Sequence, residues 1–303
     1  MTTSLHAPAP QRTPRVPRVP FTEESKLWDG AGLITFALTN SSAFALQTMH
    51  PTVGVVVGEH STFRTDALGR AKRSIASVLT WVYGGEEALA EADRLRQMHK
   101  PLISRDEYGN THHALSAGPW AWIMLTAPHG FATADKYFST KPSSEEHQEE
   151  VYAEVVQLMR NLHVQEREIP KTYAEYVEVF DKIIDEVLVA HPTAYEFLET
   201  VRRVPPPVEL PTALHPLWRV LTLLPGELLY FVTVGTMPEK AREKLGLKWT
   251  TRDEQLLRAF GFAVSYGVSA LPERLRYFPI AYQARKAARE RSKLVGMLEH
   301  RPM

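Results

Sequence analysis

The run Gly69-Arg70-Ala71-Lys72-Arg73-Ser74 puts three cations and a hydroxyl at the start of an apolar helical stretch, Ile75 to Tyr83. On a helix, Arg70, Arg73 and Ser74 fall on one face, three or four residues apart. Donors gathered in this way can steer dioxygen or stabilise an oxyanion, although a basic helix start is more commonly just solvated. A second helical pattern, Glu86 to His99, ends with Arg96 and His99 in its last turn. An imidazole there is ordinarily at the surface or complements the negative end of the helix dipole. It could also ligate a heme iron, with Arg96 meeting a propionate, because buried propionates need cationic partners. Spacing alone leaves both readings open.

The other candidates are weaker. Glu59 and His60 are adjacent and point different ways on a helix, and His50 precedes Pro51 at a break. All three read as hydrogen-bonded core or capping residues. His112 and His113 sit in a polar loop and read as a solvent-exposed pair. The chain has no cysteine, which excludes disulfides, thiolate nucleophiles, zinc-thiolate sites, iron–sulfur clusters and thiolate-ligated heme. His-Glu-x-x-His, Gly-x-Ser-x-Gly, the P-loop and the dinucleotide fingerprint are all missing. Lys+Arg and Asp+Glu are both 35, so no net basic charge points to nucleic acid.

The elements that must hold these residues are helical. Ala31 to Met49 is almost uncharged and reads as a buried helix ending before Pro51. Thr52 to His60 fits strand or helix; its helical neighbours and the small Gly54 and Gly58, one turn apart, favour helix. Asp66 is a candidate N-cap, and Ile75, Val78, Leu79 and Val82 share one face of the helix that follows. Residues 104–113 read as a loop, Pro119 to Phe138 as a helix broken near Pro128, and Glu149 to Asn161 as an amphipathic helix. Further helices follow at Pro170 to Val189 and Ala194 to Arg203. After a proline-rich connection, Val204 to Pro211, come Leu214 to Thr236, Pro238 to Leu245, Thr251 to Leu271 and Tyr277 to Glu299. Residues 1–20 lack a signal-peptide core and read as a disordered Pro/Arg-rich arm; residues 21–303 read as a single all-α domain. The longest apolar stretch, Leu217 to Gly235, is interrupted by Arg219, Pro225, Gly226 and Glu227, so no membrane span is expected and the location is read as cytoplasmic.

The order of these features resembles a known family. His50-Pro51, Glu59-His60-Ser61-x-Phe63, Asp66-x-Leu68-Gly69-Arg70, Arg73-Ser74, Tyr83-Gly84 and Arg96-x-Met98-His99 follow one another as in MpaB-type oxygenases, relatives of the latex-clearing (rubber) oxygenases. Glu168-Ile169-Pro170, Met237-Pro238, Leu245-Gly246-Leu247-x-Trp249 and Leu271-Pro272-Glu273-Arg274 agree, so the similarity runs over roughly residues 25–290. The resemblance implies an all-α fold with a distantly globin-like core enclosing a noncovalent heme b. It implies His99 as the iron ligand, Arg96 as a propionate partner, and Arg70 and Ser74 as a distal pair. Arg73 stands where rubber oxygenases carry a distal lysine, and Ile103 stands where a second propionate arginine is expected.

The expected function is therefore a heme-dependent oxygenase or oxidase. It would use dioxygen on a small or medium apolar organic metabolite, as in a biosynthetic tailoring step, with Arg70, Arg73 and Ser74 as the reacting-side donors. The rivals are a heme-binding protein without turnover and a helical interaction protein that has lost its metal.

Overall fold

The computed structural model describes residues 16–141 and 143–299. Of the 1–20 arm, residues 1–15 lie outside the described residues. Arg18 donates to Asp93 (2.9 Å) and to the carbonyls of Leu89 and Asn161, and Val19 exchanges hydrogen bonds with the Asn161 side chain.

Among the described residues the chain is all-α apart from one hairpin. It runs α1 (Leu27–Gly30), α2 (Ala37–Met49), α3 (Pro51–His60), α4 (Ala67–Tyr83), α5 (Glu86–His99), then β1 (Ile103–Arg105) and β2 (Thr111–His113). It continues with α6 (Ala117–Phe138), α7 (Glu145–Asn161), α8 (Tyr173–Glu186), α9 (Pro192–Arg202), α10 (His215–Leu221) and α11 (Leu223–Gly235). The last four are α12 (Glu239–Lys244), α13 (Thr251–Ser269), α14 (Glu273–Arg276) and α15 (Pro279–Glu299). Helix α2 is the hub, packed on α3, α6, α9 and α11. It is uncharged because it is enclosed: Ala45, Leu46 and Met49 are completely buried, and its buried hydroxyls Ser42 and Thr48 donate to carbonyls of their own helix. Residues from Phe21 to Ala288 contribute to one apolar core, and a smaller cluster forms around Tyr137, Phe138, Val232 and Leu257.

Residues 51–60 are a helix, and the two glycines give the reason. A Cβ on Gly54 would lie 2.5 Å from His191 Nδ1, and one on Gly58 would lie 2.7 Å from Thr193 Oγ1. Helix α9 therefore crosses α3 closely, and Thr193 donates to the Gly54 carbonyl at 2.9 Å.

Four expectations are corrected. Residues 104–113 form a hairpin, because Asp106 accepts from the backbone of Tyr108 and Asn110 and Gly109 supplies a φ of +84°. His112 is not a solvent-exposed residue: its ring lies between Asp106 Oδ2 and Thr52 Oγ1, 3.0 Å from each. Helix α6 runs unbroken through Pro128. The 214–236 stretch is two helices bent by 55° at Thr222, because Pro225 removes a donor and crowds the Leu221 carbonyl. Among the described residues, no single helix is long and apolar enough to cross a membrane; that bent pair passes by length and composition only.

The late motifs brace this architecture. Gly246 turns the chain at φ +66° after α12, and the Arg242 guanidinium lies over Trp249. Glu273 holds Arg285 (3.2 Å) and Arg289 (2.8 Å), tying α14 to α15, while Arg285 also donates to the Trp28 carbonyl.

Candidate functional site

Helices α4 and α5 form an antiparallel pair tied midway by Ser77, which donates to Glu91 at 2.6 Å. Its open end carries Arg70 and Ser74 from α4, and Arg96 and His99 from α5. Asp66 caps α4 by accepting from Gly69 N at 3.0 Å. Its second oxygen accepts from Arg73 at 3.0 Å, and Arg73 also donates to Thr62 Oγ1. The Arg73 side chain is 62% exposed, so this pair is worth at most about 1 kcal/mol. Arg73 is thus directed back along α4 toward the cap.

Arg70 behaves differently. Its guanidinium lies 3.8 Å from the centroid of the Phe44 ring and has no hydrogen bond or ion pair. Phe44 is held edge-on by Phe197 at 4.5 Å and Phe63 at 6.2 Å. Burial, and secondarily the neighbouring Arg73 charge, lower the Arg70 pKa to about 10. Even a half-buried cation without a carboxylate is costly unless something anionic joins it. Ser74, on the same face, is exposed and its hydroxyl has no protein partner.

His99 is half-buried at the end of α5, where it meets Trp120 of α6 edge-on at 5.5 Å. Trp120 is itself fixed by donating to the Leu162 carbonyl at 2.9 Å. His99 Nδ1 lies 2.8 Å from the Leu95 carbonyl. A carbonyl only accepts, so Nδ1 carries the proton and Nε2 keeps its lone pair. Burial lowers the His99 pKa against that hydrogen bond, and the charges of Arg70 and Arg94 lower it further, so the ring is neutral at pH 7. Arg96 is half-buried and its guanidinium has no partner; Arg94 spends its own on Glu91.

Arg70 thus lies near enough to His99 to lower its pKa, Arg96 stands one turn before His99 and Ser74 one turn after Arg70, while the Arg73 guanidinium is held by Asp66 and Thr62. Sequence reasoning missed the aromatic supports. Trp120 was legible only as one of several aromatic residues in α6, and nothing in the sequence pairs Phe44 with Arg70. The remaining histidines stand apart: His60 lies 3.4 Å from the Ile103 carbonyl and 4.0 Å from Glu59, and His113 is exposed. Among the described residues, no group of three or more His, Asp or Glu side chains could hold a metal ion by itself.

The site is therefore a single neutral imidazole of fixed tautomer beside cations that lack protein counter-ions, set in an all-α frame. The family model for the ER-bound oxygenase mpaB/B'/Rubber oxygenase, catalytic domain, matches residues 28–266, and the chain belongs to that family. It is an oxygenase-type oxidoreductase chain on that basis. No curated protein and no solved structure gives a match.

Proposed function

We propose that this chain binds heme b through His99 and uses dioxygen to oxidise a small or medium apolar organic metabolite. The observation that carries this reading is the state of His99: Nδ1 is committed to the Leu95 carbonyl and Nε2 is unclaimed. Imidazoles that ligate metal characteristically donate their other ring N–H to a carbonyl or carboxylate, which orients the ring and raises its basicity. The donor set fits an iron already carried by a porphyrin, which needs only one protein ligand. Arg96 and Arg70, both without carboxylate partners, suit the propionates and a developing oxygen charge respectively.

When bound, heme supplies the redox chemistry and the activation of dioxygen. The residues of this chain do the rest. His99 holds the group through Nε2 with the tautomer set by Leu95. Trp120 prevents the ring from rotating. Arg70, stacked on Phe44 and half-buried, offers guanidinium N–H groups, and the exposed Ser74 adds a hydroxyl on the same face. Arg73, restrained by Asp66 and Thr62, acts on the site through its charge. The apolar residues of 31–49 and 75–83 shape the space for the substrate. Residues 21–303 work as one domain of distantly globin-like design, and the reaction is placed in the cytoplasm.

The test is spectroscopic. Heme titrated into the purified chain should give a saturable Soret band that His99→Ala removes or shifts. The ferrous protein should consume dioxygen with product from an apolar substrate. Absence of the band, with His99→Ala no different from the parent, ends the heme reading. A heme-loaded protein that oxidises without product from any substrate points instead to binding without turnover.

A further inference from the structure

Two features that the His99 site leaves idle, His50 of the His50-Pro51 motif and the Glu168-Ile169-Pro170 run, line one cavity of about 470 Å³ between α6 and α8. Its floor is apolar. Trp122 and Leu125 come from α6, and Val179, Ile183 and Val187 from successive turns of α8. The two ends differ in charge. Val189 N donates to the Met49 carbonyl at 3.0 Å, which sets the end of α8 beside His50. At the opposite end stand Glu175 and Glu178, neither of which has a cationic partner. Arg167, the cation lining the cavity, is already paired with Glu168 at 3.1 Å. From Glu178 to Val187 the helical rise makes the trough about 14 Å long.

His50 is the unusual group. Its Nδ1 is buried without a hydrogen bond, and Nε2 has no protein partner either but is not enclosed. Burial, aided by the nearby His112, pushes its pKa down to about 4, so it meets the cavity as a neutral ring. A long apolar trough with carboxylates that lack a cation at one end, Glu175 accepting only from the Lys171 backbone N–H at 2.8 Å, and a neutral hydrogen-bonding nitrogen at the other has a defined complement.

We propose that this trough binds a long-chain aliphatic amine carrying a hydroxyl at its far end. The ammonium sits by Glu175 and Glu178, the chain lies over Val179 and Ile183, and the hydroxyl bonds His50. The site uses none of the residues around His99 and stands independently of the heme reading.

The full chain is titrated calorimetrically, below micelle formation, with dodecylamine, its ω-amino alcohol, dodecanol and dodecanoate. The two amines should bind saturably, the amino alcohol more tightly, with dodecanol weaker and dodecanoate not binding. Glu175→Gln with Glu178→Gln should weaken the amines about three- to tenfold, and added salt should weaken them too. Gly118→Leu provides a steric control, because a Cβ there meets nothing within 4 Å and the side chain fills open trough without disturbing the core. It should reduce binding at least tenfold with an unchanged melting temperature, while His99→Ala leaves binding intact. No saturable binding, equal affinity for amine and carboxylate, undiminished binding in Gly118→Leu, or displacement of the amine by a short basic peptide at lower concentration would each overturn the proposal.

Discussion

Arg70→Met in the heme-free chain should make the protein more stable, not less. The guanidinium is partly withdrawn from water, meets no acceptor, and has its pKa lowered from 12.5 to about 10 by burial and by the neighbouring Arg73 charge. Each tenfold change in proton affinity is about 1.4 kcal/mol, so keeping this cation inside costs about 3 kcal/mol. It stays charged at neutral pH in both folded and unfolded chains, so the cost is carried in full by the folded state. The Phe44 face at 3.8 Å returns about 1 kcal/mol. Methionine keeps an unbranched apolar stem against Phe44 and discards the charge. The net gain is about 1–2 kcal/mol, or roughly 2–4 °C in melting temperature for a chain of this size. Urea denaturation of parent and variant, both stripped of heme, measures it directly. The same substitution should weaken heme or anion binding about tenfold, the loss of one charge-assisted hydrogen bond. A lower urea midpoint for Arg70→Met would refute the reasoning, because Arg70 would then be a structural strut and not a cation held for a ligand.

Two further outcomes follow from the interior. His129 stacks on Phe180, bonds the Thr236 carbonyl at 3.0 Å, and is pushed down to about 4 by burial, as is His50. Both are bases with depressed folded pKa values, so below about pH 6.5 the unfolded chain binds more protons. Stability should therefore be fully present above pH 6.5 and fall as the pH drops toward 4, by up to about 3 kcal/mol per residue; urea midpoints across that window measure it, and His129→Gln should flatten the curve. Gly54→Ala should destabilise by about 1–3 kcal/mol, since its methyl would press on His191 and the Thr48 carbonyl. Calorimetry reads the loss, and an unchanged melting temperature would mean that α3 and α9 separate at little cost.

Much of the fold was legible because the relevant forces are local. The 3.6-residue spacing of Ile75, Val78, Leu79 and Val82 and the Asp66 cap placed α4, and the acidic start and basic end of α5 placed Glu86–His99 to the residue. The errors arose where a single residue type has opposite consequences in different surroundings. Pro128 lies inside an unbroken helix packed in the core, whereas Pro225 breaks an exposed one. The 103–113 hairpin escaped notice because its strands have three residues each and are organised by Asp106, not by an apolar pattern. For the site, spacing and the family pattern singled out His99, Arg96, Arg70, Ser74 and Arg73, whose roles remain those proposed above. Only side-chain placement showed Arg73 turning back to Asp66.

The sequence by itself determined the helices, the absence of thiol chemistry, and which residue types stand at the ends of α4 and α5. Those depend on composition and on interactions within a turn or two of the chain. Tertiary structure alone decided that Arg70 lies on Phe44 without a counter-ion, that the Leu95 carbonyl leaves Nε2 of His99 free, and that His50 shares a trough with Glu178. Burial and the pairing of charges arise between segments far apart in the chain, and no local periodicity encodes which partner a side chain meets or lacks.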